Sequence, residues 1–220
     1  MANPSADTPH AEPRRFSIRL PRPAWIGAAV AVLIAAGGGF VAIAEQRHRI
    51  ALAHLVADGA VVGSPRYGSG ITIYLAGQQF TDGHFRHLRD LRGIRELRIM
   101  DVPRITDAGF ATLGRRTDIE LLSLIRTGVS PESLPQIGRW TDLTWLAIPG
   151  MRVQGADLIH LKNLTNLKLL HLDETPLADA DLRALPKLSN LLWLSLKDTQ
   201  TTDAGVADLR KQLAGTRVVR

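Results

Sequence analysis

The stretch "TDAG" occurs at Thr106–Gly109 and again at Thr202–Gly205, and the two copies start 96 residues apart, four times 24. A frame of about 24 residues laid over the chain gives six rows, starting at Gly70, Ile94, Ile119, Leu143, Leu167 and Leu191. Three positions into each row stand Ile73, Leu97, Leu122, Leu146, Leu170 and Leu194. Two further on stand Leu75, Ile99, Leu124, Ile148, Leu172 and Leu196. All twelve positions are Leu or Ile, so the period is real and internal repeats set the architecture.

Each pair of leucines is separated by one residue. That is strand spacing, with both side chains on one face. Further along each row the apolar residues fall three and four apart, as in Phe85, Leu88 and Leu91 or Leu182, Leu185 and Leu188. That is helix spacing. One row of a strand and a helix cannot bury its own apolar face, but stacked rows form a continuous core. The dipeptides Thr81-Asp82, Thr106-Asp107 and Thr202-Asp203 sit where each helix should begin. Their oxygens are placed to accept from the first free amides, and the acidic group suits the helix dipole.

Rows such as "LTNLKLLHLDETPLADADLRALPKL" (Leu164–Leu188) and "LSNLLWLSLKDTQTTDAGVADL" (Leu188–Leu209) resemble leucine-rich repeats. "ITDAGF" after a strand is similar to the cysteine-containing subtype known from F-box-associated proteins. The resemblance covers residues 70–220 and implies an α/β solenoid, a horseshoe with a parallel sheet on its concave face and helices on the convex one. It also implies protein binding through the concave face. The family's ladder position, Asn or Cys, is here Gln78, Thr127, Met151, Thr175 and Thr199. Thr can carry part of such a ladder through its hydroxyl and Met cannot. Row four, around Met151, is therefore expected to be the weakest joint.

Residues 45–69 read as an N-terminal cap, a helix followed by an edge strand at Ala60–Val62. At the other end Val218 or Val219 is expected to cover the last strand. Residues 1–23 contain five prolines and few apolar residues, which reads as a disordered tail. Ala24–Ala44 is an uncharged apolar run of 21 residues, long enough to cross a bilayer as a helix. It is either a retained signal anchor or a cleaved signal peptide, with Ala42-Ile43-Ala44 as a possible cleavage site. Four arginines precede it, so the N-terminus is expected in the cytoplasm and the repeats outside. Gly27, Ala31, Ala35 and Gly39 make one face of this segment small, a surface through which two copies could pair weakly.

The formal net charge is +6, of which residues 1–49 carry +3 (six Arg against three acidic residues). Residues 50–220 carry the other +3, from 21 basic and 18 acidic residues. With no basic stripe apparent, nucleic-acid binding is not expected. The chain has no cysteine, which excludes disulfides and a thiol nucleophile. There is no Gly-rich phosphate loop and no nucleophile elbow. No cofactor or metal is expected. His84 and His87 could share a helix face but lack a third ligand.

The candidate binding residues are therefore the side chains on the open face of the strands: Tyr74, Arg98, Leu121, Trp145, Leu169, His171, Asp173 and Trp193. Leu121, Trp145, Leu169 and Trp193 fall at one strand position on four successive rows, an apolar column of about 15 Å. Such a column suits either a partner site or packing at the sheet margin. His171, Asp173 and Glu174 form the one cluster with chemical potential, a hydrolase-like alternative to a binding role. A third reading, a substrate-recognition subunit like the F-box-associated proteins, lacks the helical domain that should precede the repeats.

The anchor and cleaved readings separate by mass spectrometry of the mature N-terminus. A retained anchor leaves residues 1–44 in place, whereas a mature chain beginning at Glu45 excludes it.

Overall fold

The leucine columns dictate the sheet. The computed structural model describes residues 43–220 apart from 66, 67, 115 and 117, which excludes the tail at 1–23 and all but the last two residues of the apolar run at 24–44. Gly27, Ala31, Ala35 and Gly39 lie outside the described residues, and so does the question of whether the run spans a membrane. Among the described residues no helix is long and apolar enough to cross one.

Helix α1 occupies residues 43–57 and is followed by the short strand β1, Val61–Gly63. Then come β2 (Ile71–Ala76), β3 (Ile94–Thr106), β4 (Leu121–Gly128), β5 (Trp145–Ala147), β6 (Leu169–His171), β7 (Trp193–Ser195) and β8 (Arg217–Val219). They form one sheet of eight strands in chain order. β1 runs antiparallel to β2, and every later pair is parallel. The register places Ile73, Leu97, Leu122, Leu146, Leu170, Leu194 and Val218 opposite one another, strand to strand. All seven are buried. Val218, rather than Val219, thus closes the column. Phe85, Phe110 and Trp140 pack in line behind the sheet, with ring centroids 6.1 and 5.3 Å apart.

The layer opposite the open face is less helical than the sequence spacing suggests. Its α-helices are α2 (Phe85–Asp90), α3 (Asp107–Ala111), α4 (Leu134–Ile137), α5 (Gly155–Leu158) and α6 (Asp203–Gln212). The remainder consists of 3₁₀ turns, including Ile159–Asn163 and Asp181–Lys187. Strands sit about 4.8 Å apart, whereas α-helices need 8–10 Å. The thinner 3₁₀ turn relieves that mismatch.

The TD motif also differs from expectation. The threonines do cap: Thr106 Oγ1 accepts from Ala108 N at 3.3 Å and Thr202 Oγ1 from Gly205 N at 3.1 Å. Asp82 and Asp107 of the motif reach into the next row instead, as does Asp179 at the same place in row five, while Asp203 of the last copy is engaged by Arg220. Asp82 accepts from the backbone N and the hydroxyl of Thr106, both at 2.7 Å. Asp107 accepts from Ser130 N at 3.0 Å and from Ser133 Oγ at 2.5 Å. Asp179 accepts from Thr202 N at 2.7 Å and its hydroxyl at 2.6 Å. The glycine of the motif makes room for this carboxylate. A Cβ at Gly109 would collide with Asp82, and one at Gly205 with Asp179.

The threonine ladder does not bridge rows. Thr175 Oγ1 donates to Leu172 O at 2.6 Å and Thr199 Oγ1 to Leu196 O at 2.7 Å, both within their own turn. Other side chains cross between rows. Asn166 Nδ2 donates to Thr141 O at 3.0 Å and Asn190 Nδ2 to Thr165 O at 2.5 Å. Arg116, buried, holds Asp118 through Nε at 2.8 Å and Nη2 at 2.6 Å, and Nη1 donates to Leu88 O at 3.1 Å. Rows three and four carry Pro131 and Gly155 where the others have Asp, so the carboxylate column is interrupted at these two positions. Asp181 fills part of that gap, accepting from both Gly155 N and Ala178 N at 2.9 Å.

Each of the six rows holds a left-handed residue seven positions after its start, in the series Gly77, Asp101, Arg126, Gly150, Glu174 and Asp198 (φ between 50° and 104°). Only two of the six are glycine, so four rows hold an L side chain in a costly conformation.

Gly109→Ala should lower unfolding stability by about 1–3 kcal/mol through crowding, and Asp82→Ala should relieve part of that loss in a double-mutant cycle. Gly150→Ala, with open space around it, should cost only the left-handed strain, about 1 kcal/mol, with no such coupling.

Burial pushes the Asp118 carboxyl up, but the two Arg116 hydrogen bonds, the Arg116 charge and the Gly93 N–H outweigh it, leaving the pKa lowered. A depressed folded pKa means stability present above the usual carboxylate range of about 4 and lost as pH falls through the folded value. Asp118→Asn should therefore flatten the acid limb of the stability–pH curve measured by chemical denaturation.

Candidate binding face

The open face of the sheet carries two side-chain columns. Strand register aligns Thr72, Glu96, Leu121, Trp145, Leu169, Trp193 and Arg217 in one, and Tyr74, Arg98, Ser123, Ala147, His171, Ser195 and Val219 in the other. Parallel pairing without slips across β4 to β8 sets this alignment.

The centre of the face is more closed than the sequence suggests. Leu121 is only 6% exposed, so it is not part of an exposed apolar column. It lies between Glu96 and Trp145 on the flanking strands, and both are large enough to cover it. Ser123, Ala147 and Ser195 are buried as well. Trp145, Leu169 and Trp193 are half-buried.

Arginine covers both tryptophans. The Arg98 guanidinium lies 5.2 Å from the Trp145 ring centroid, and Arg217 lies 4.8 Å from that of Trp193. Arg98 reaches Trp145 across β4. Both are within range for cation–π attraction. Arg98 is also held by Glu96, Nη2 to Oε2 at 3.2 Å. His171 packs beside Trp145 from β6, with centroids 5.9 Å apart. A cleft of ≈ 290 Å³ opens here, lined by Pro65, Arg95, Arg98, Trp145 and Leu169 among others. Arg95 and Glu120 pair beside it.

Thus Arg98, Trp145, Leu169 and His171 come together. Trp193 forms a second centre two strands away. Tyr74, half-buried on β2, stands at the other end of the sheet beside Arg98 and opposite Val61 of β1. Arg217 is the functional candidate that sequence reasoning missed. It stands 24 residues after Trp193, so extending the frame by a seventh row would have found it.

The buried side-chain polar atoms without a hydrogen-bond partner, among the described residues, share a single strand position. They are Thr72 Oγ1, Trp145 Nε1 and Trp193 Nε1, all in the outer column. By contrast Trp140, in the core, donates its indole N–H to Gly114 O at 3.1 Å. Buried donors are normally satisfied, so this column differs in kind from the rest of the molecule.

His171, Asp173 and Glu174 do not converge as a hydrolytic centre would require. His171 Nδ1 and Asp173 Oδ2 are 3.8 Å apart, too far for a hydrogen bond. Asp173 Oδ1 is already engaged, accepting from Ser195 Oγ at 2.5 Å and Lys197 N at 2.9 Å. Asp173 therefore joins β6 to β7. Glu174 occupies the left-handed turn beyond the strand and lines a groove of ≈ 410 Å³ with Arg126, Pro149, Met151 and Arg152. That groove lies between rows three and four. On its margin Arg126 holds Asp101 through Nε at 2.5 Å and Nη2 at 2.8 Å. The Arg126 hydrogen bond keeps the exposed Asp101 carboxyl below its ordinary pKa.

No protein-family model matches this chain, and no curated protein matches it. Among solved structures, an internalin from Listeria monocytogenes is similar at 21% identity and TM-score 0.43, over 62% of this chain and 36% of that one. A leucine-rich-repeat protein of Leptospira interrogans is similar at 18% identity and TM-score 0.42, over 67% of this chain and 35% of that one. The leucine-rich-repeat ectodomain of an Arabidopsis thaliana receptor kinase, solved with Casparian strip integrity factor 2, is similar at 19% identity and TM-score 0.39. It aligns over 61% of this chain and 16% of its own. The chain thus spans about a third of the length of the first two. At these identities and TM-scores, the description of the fold rests on the strand register of this chain itself.

Proposed function

We propose that this chain is a non-enzymatic, membrane-anchored interaction module that binds a protein partner through the open, concave face of its repeats. The observation that carries the reading is the outer column at Trp145, Leu169 and Trp193. There two half-buried tryptophans lie under arginines, and both indole N–H groups lack a hydrogen-bond partner among the described residues. Large aromatic side chains with a polar edge, next to arginine, are the residue types that dominate binding energy at protein interfaces. A partner whose oxygens accept from these N–H groups, once Arg98 and Arg217 swing off the rings, would satisfy them. Leu169 offers apolar contact between them and His171 a ring edge beside Trp145, and Tyr74 and Asp173 would lie toward the rim. The unconverged geometry of His171 and Asp173 favours this reading over hydrolysis.

Anchoring belongs to the same proposal and rests on the uncharged run at Ala24–Ala44. The arginines before it favour a cytoplasmic N-terminus with the repeats on the other side of the membrane. The arrangement would hold a binding surface at the membrane while leaving the repeats in water.

A photo-crosslinking residue at the exposed Lys168, next to Leu169, tests the face directly. The wild-type chain should capture a partner there. Trp145→Ala with Trp193→Ala should reduce that capture about tenfold or more while shifting Tm by no more than about 5 °C. Unchanged capture with a large fall in Tm would assign the tryptophans to packing.

A further inference from the structure

Four of the seven histidines, His48, His54, His84 and His87, gather where α1 meets the first row. Three of them use a ring nitrogen as an acceptor. Arg92 N donates to His48 Nδ1 at 3.4 Å, Arg86 Nε to His87 Nε2 at 3.4 Å, and Thr81 N to His84 Nδ1 at 3.0 Å. The fourth, His54 on α1, stacks on His87 of α2 with centroids 4.9 Å apart and planes at 21°. His84 Nε2 lies 3.2 Å from Asp58 Oδ2, just beyond the end of α1.

We propose that these histidines form an acid-sensitive clasp that holds α1 over the first row at neutral pH and loosens as the pH falls from about 7 to about 5. A ring nitrogen that carries a proton cannot accept a hydrogen bond. Protonation therefore breaks the bond from Arg92 to His48 and ends the cap that His84 Nδ1 gives Thr81 N, turning that nitrogen into a donor toward Thr81 O, 3.1 Å away. It also places two positive rings face to face at His54 and His87, with the Arg86 guanidinium beside them. Asp58 is the carboxylate that opposes this, since protonated His84 binds it more tightly. Of the other charges on these elements, Arg49 pairs with Glu45 on α1 and Arg89 with Asp90 on α2, Asp82 is engaged by Thr106, and Arg47 and Arg92 add positive charge beside the histidines.

The direction of release follows from the same geometry. Burial, then Arg86, His54 and His84, lower the pKa of His87, against the pull of Asp58. A histidine whose pKa is depressed in the folded state binds its proton first in the open state. Stability is then lost as pH falls below the ordinary histidine value of about 6.5. What opens is the end of the core. Ala51 and Leu55 of α1 are buried there, with the first row's Ile73, Phe80 and Phe85. Acid would uncover this apolar end while leaving the later rows, which hold no such cluster, in place.

Hydrogen exchange on the full chain in detergent micelles, corrected for the intrinsic pH dependence of exchange, tests the clasp. Between pH 7.5 and 5.0, protection over residues 43–57 and 81–90 should fall about tenfold or more, while that over α6 at 203–212 stays level. His54→Gln with His87→Gln should abolish most of that difference. His54 is exposed, so the single variant His54→Gln should fold and reduce the difference even if the pair does not. Equal protection of 43–57 at both pH values would overturn the proposal. So would a parallel loss over 203–212, or a fall that the folded variants leave unchanged.

Discussion

Parallel strands about 4.8 Å apart, each bringing two leucines into register with its neighbours, are the constraint on which the rest of this molecule depends. Every row must return to the same height after about 24 residues. The left-handed residue at the same position of each row is one consequence, since the chain must turn sharply at the same place each time. Glycine takes that place at 77 and 150, and Asp101, Arg126, Glu174 and Asp198 bear the strain elsewhere. The thin, partly 3₁₀ outer layer is another consequence, because full helices are too wide for the strand spacing.

The same spacing lets a short side chain reach from one row to the next. Asp82, Asp107 and Asp179 do so, each satisfying a cap residue of the following row. Helix starts and row stacking are therefore one structural unit, with the glycine of "TDAG" as its clearance. Pro131 and Gly155 interrupt this carboxylate column; at Gly155 Asp181 ties rows four and five from the other side, while a groove of ≈ 410 Å³ opens at the neighbouring turns between rows three and four. The expectation of a weakest joint around Met151 rested on the ladder position. Met151 itself is buried, and the missing contacts belong to the carboxylate column.

On the open face the register has a second effect. It turns residues 24 apart into neighbours, so Trp145, Leu169, Trp193 and Arg217 form one line although nothing local in the sequence joins them. Their surroundings then decide their character. Arg98 reaches over β4 to Trp145, and Leu121 disappears beneath its neighbours. The cluster at His171 turns from a chemical candidate into a structural tie, because Asp173 is occupied by Ser195 and Lys197.

Sequence alone determined the period, the parallel rows, the buried leucine columns and which residues share the open face, because these follow from spacing and from the need to bury apolar side chains. It also marked Thr106 and Thr202 as caps. Only the tertiary structure decided where the aspartates point, which glycines are steric, how far Leu121 is covered, and that four histidines meet at one joint. Those outcomes depend on contacts between residues 20 to 50 positions apart. The direction a side chain takes across such a gap is set by the neighbouring row, and no local pattern of residues encodes it.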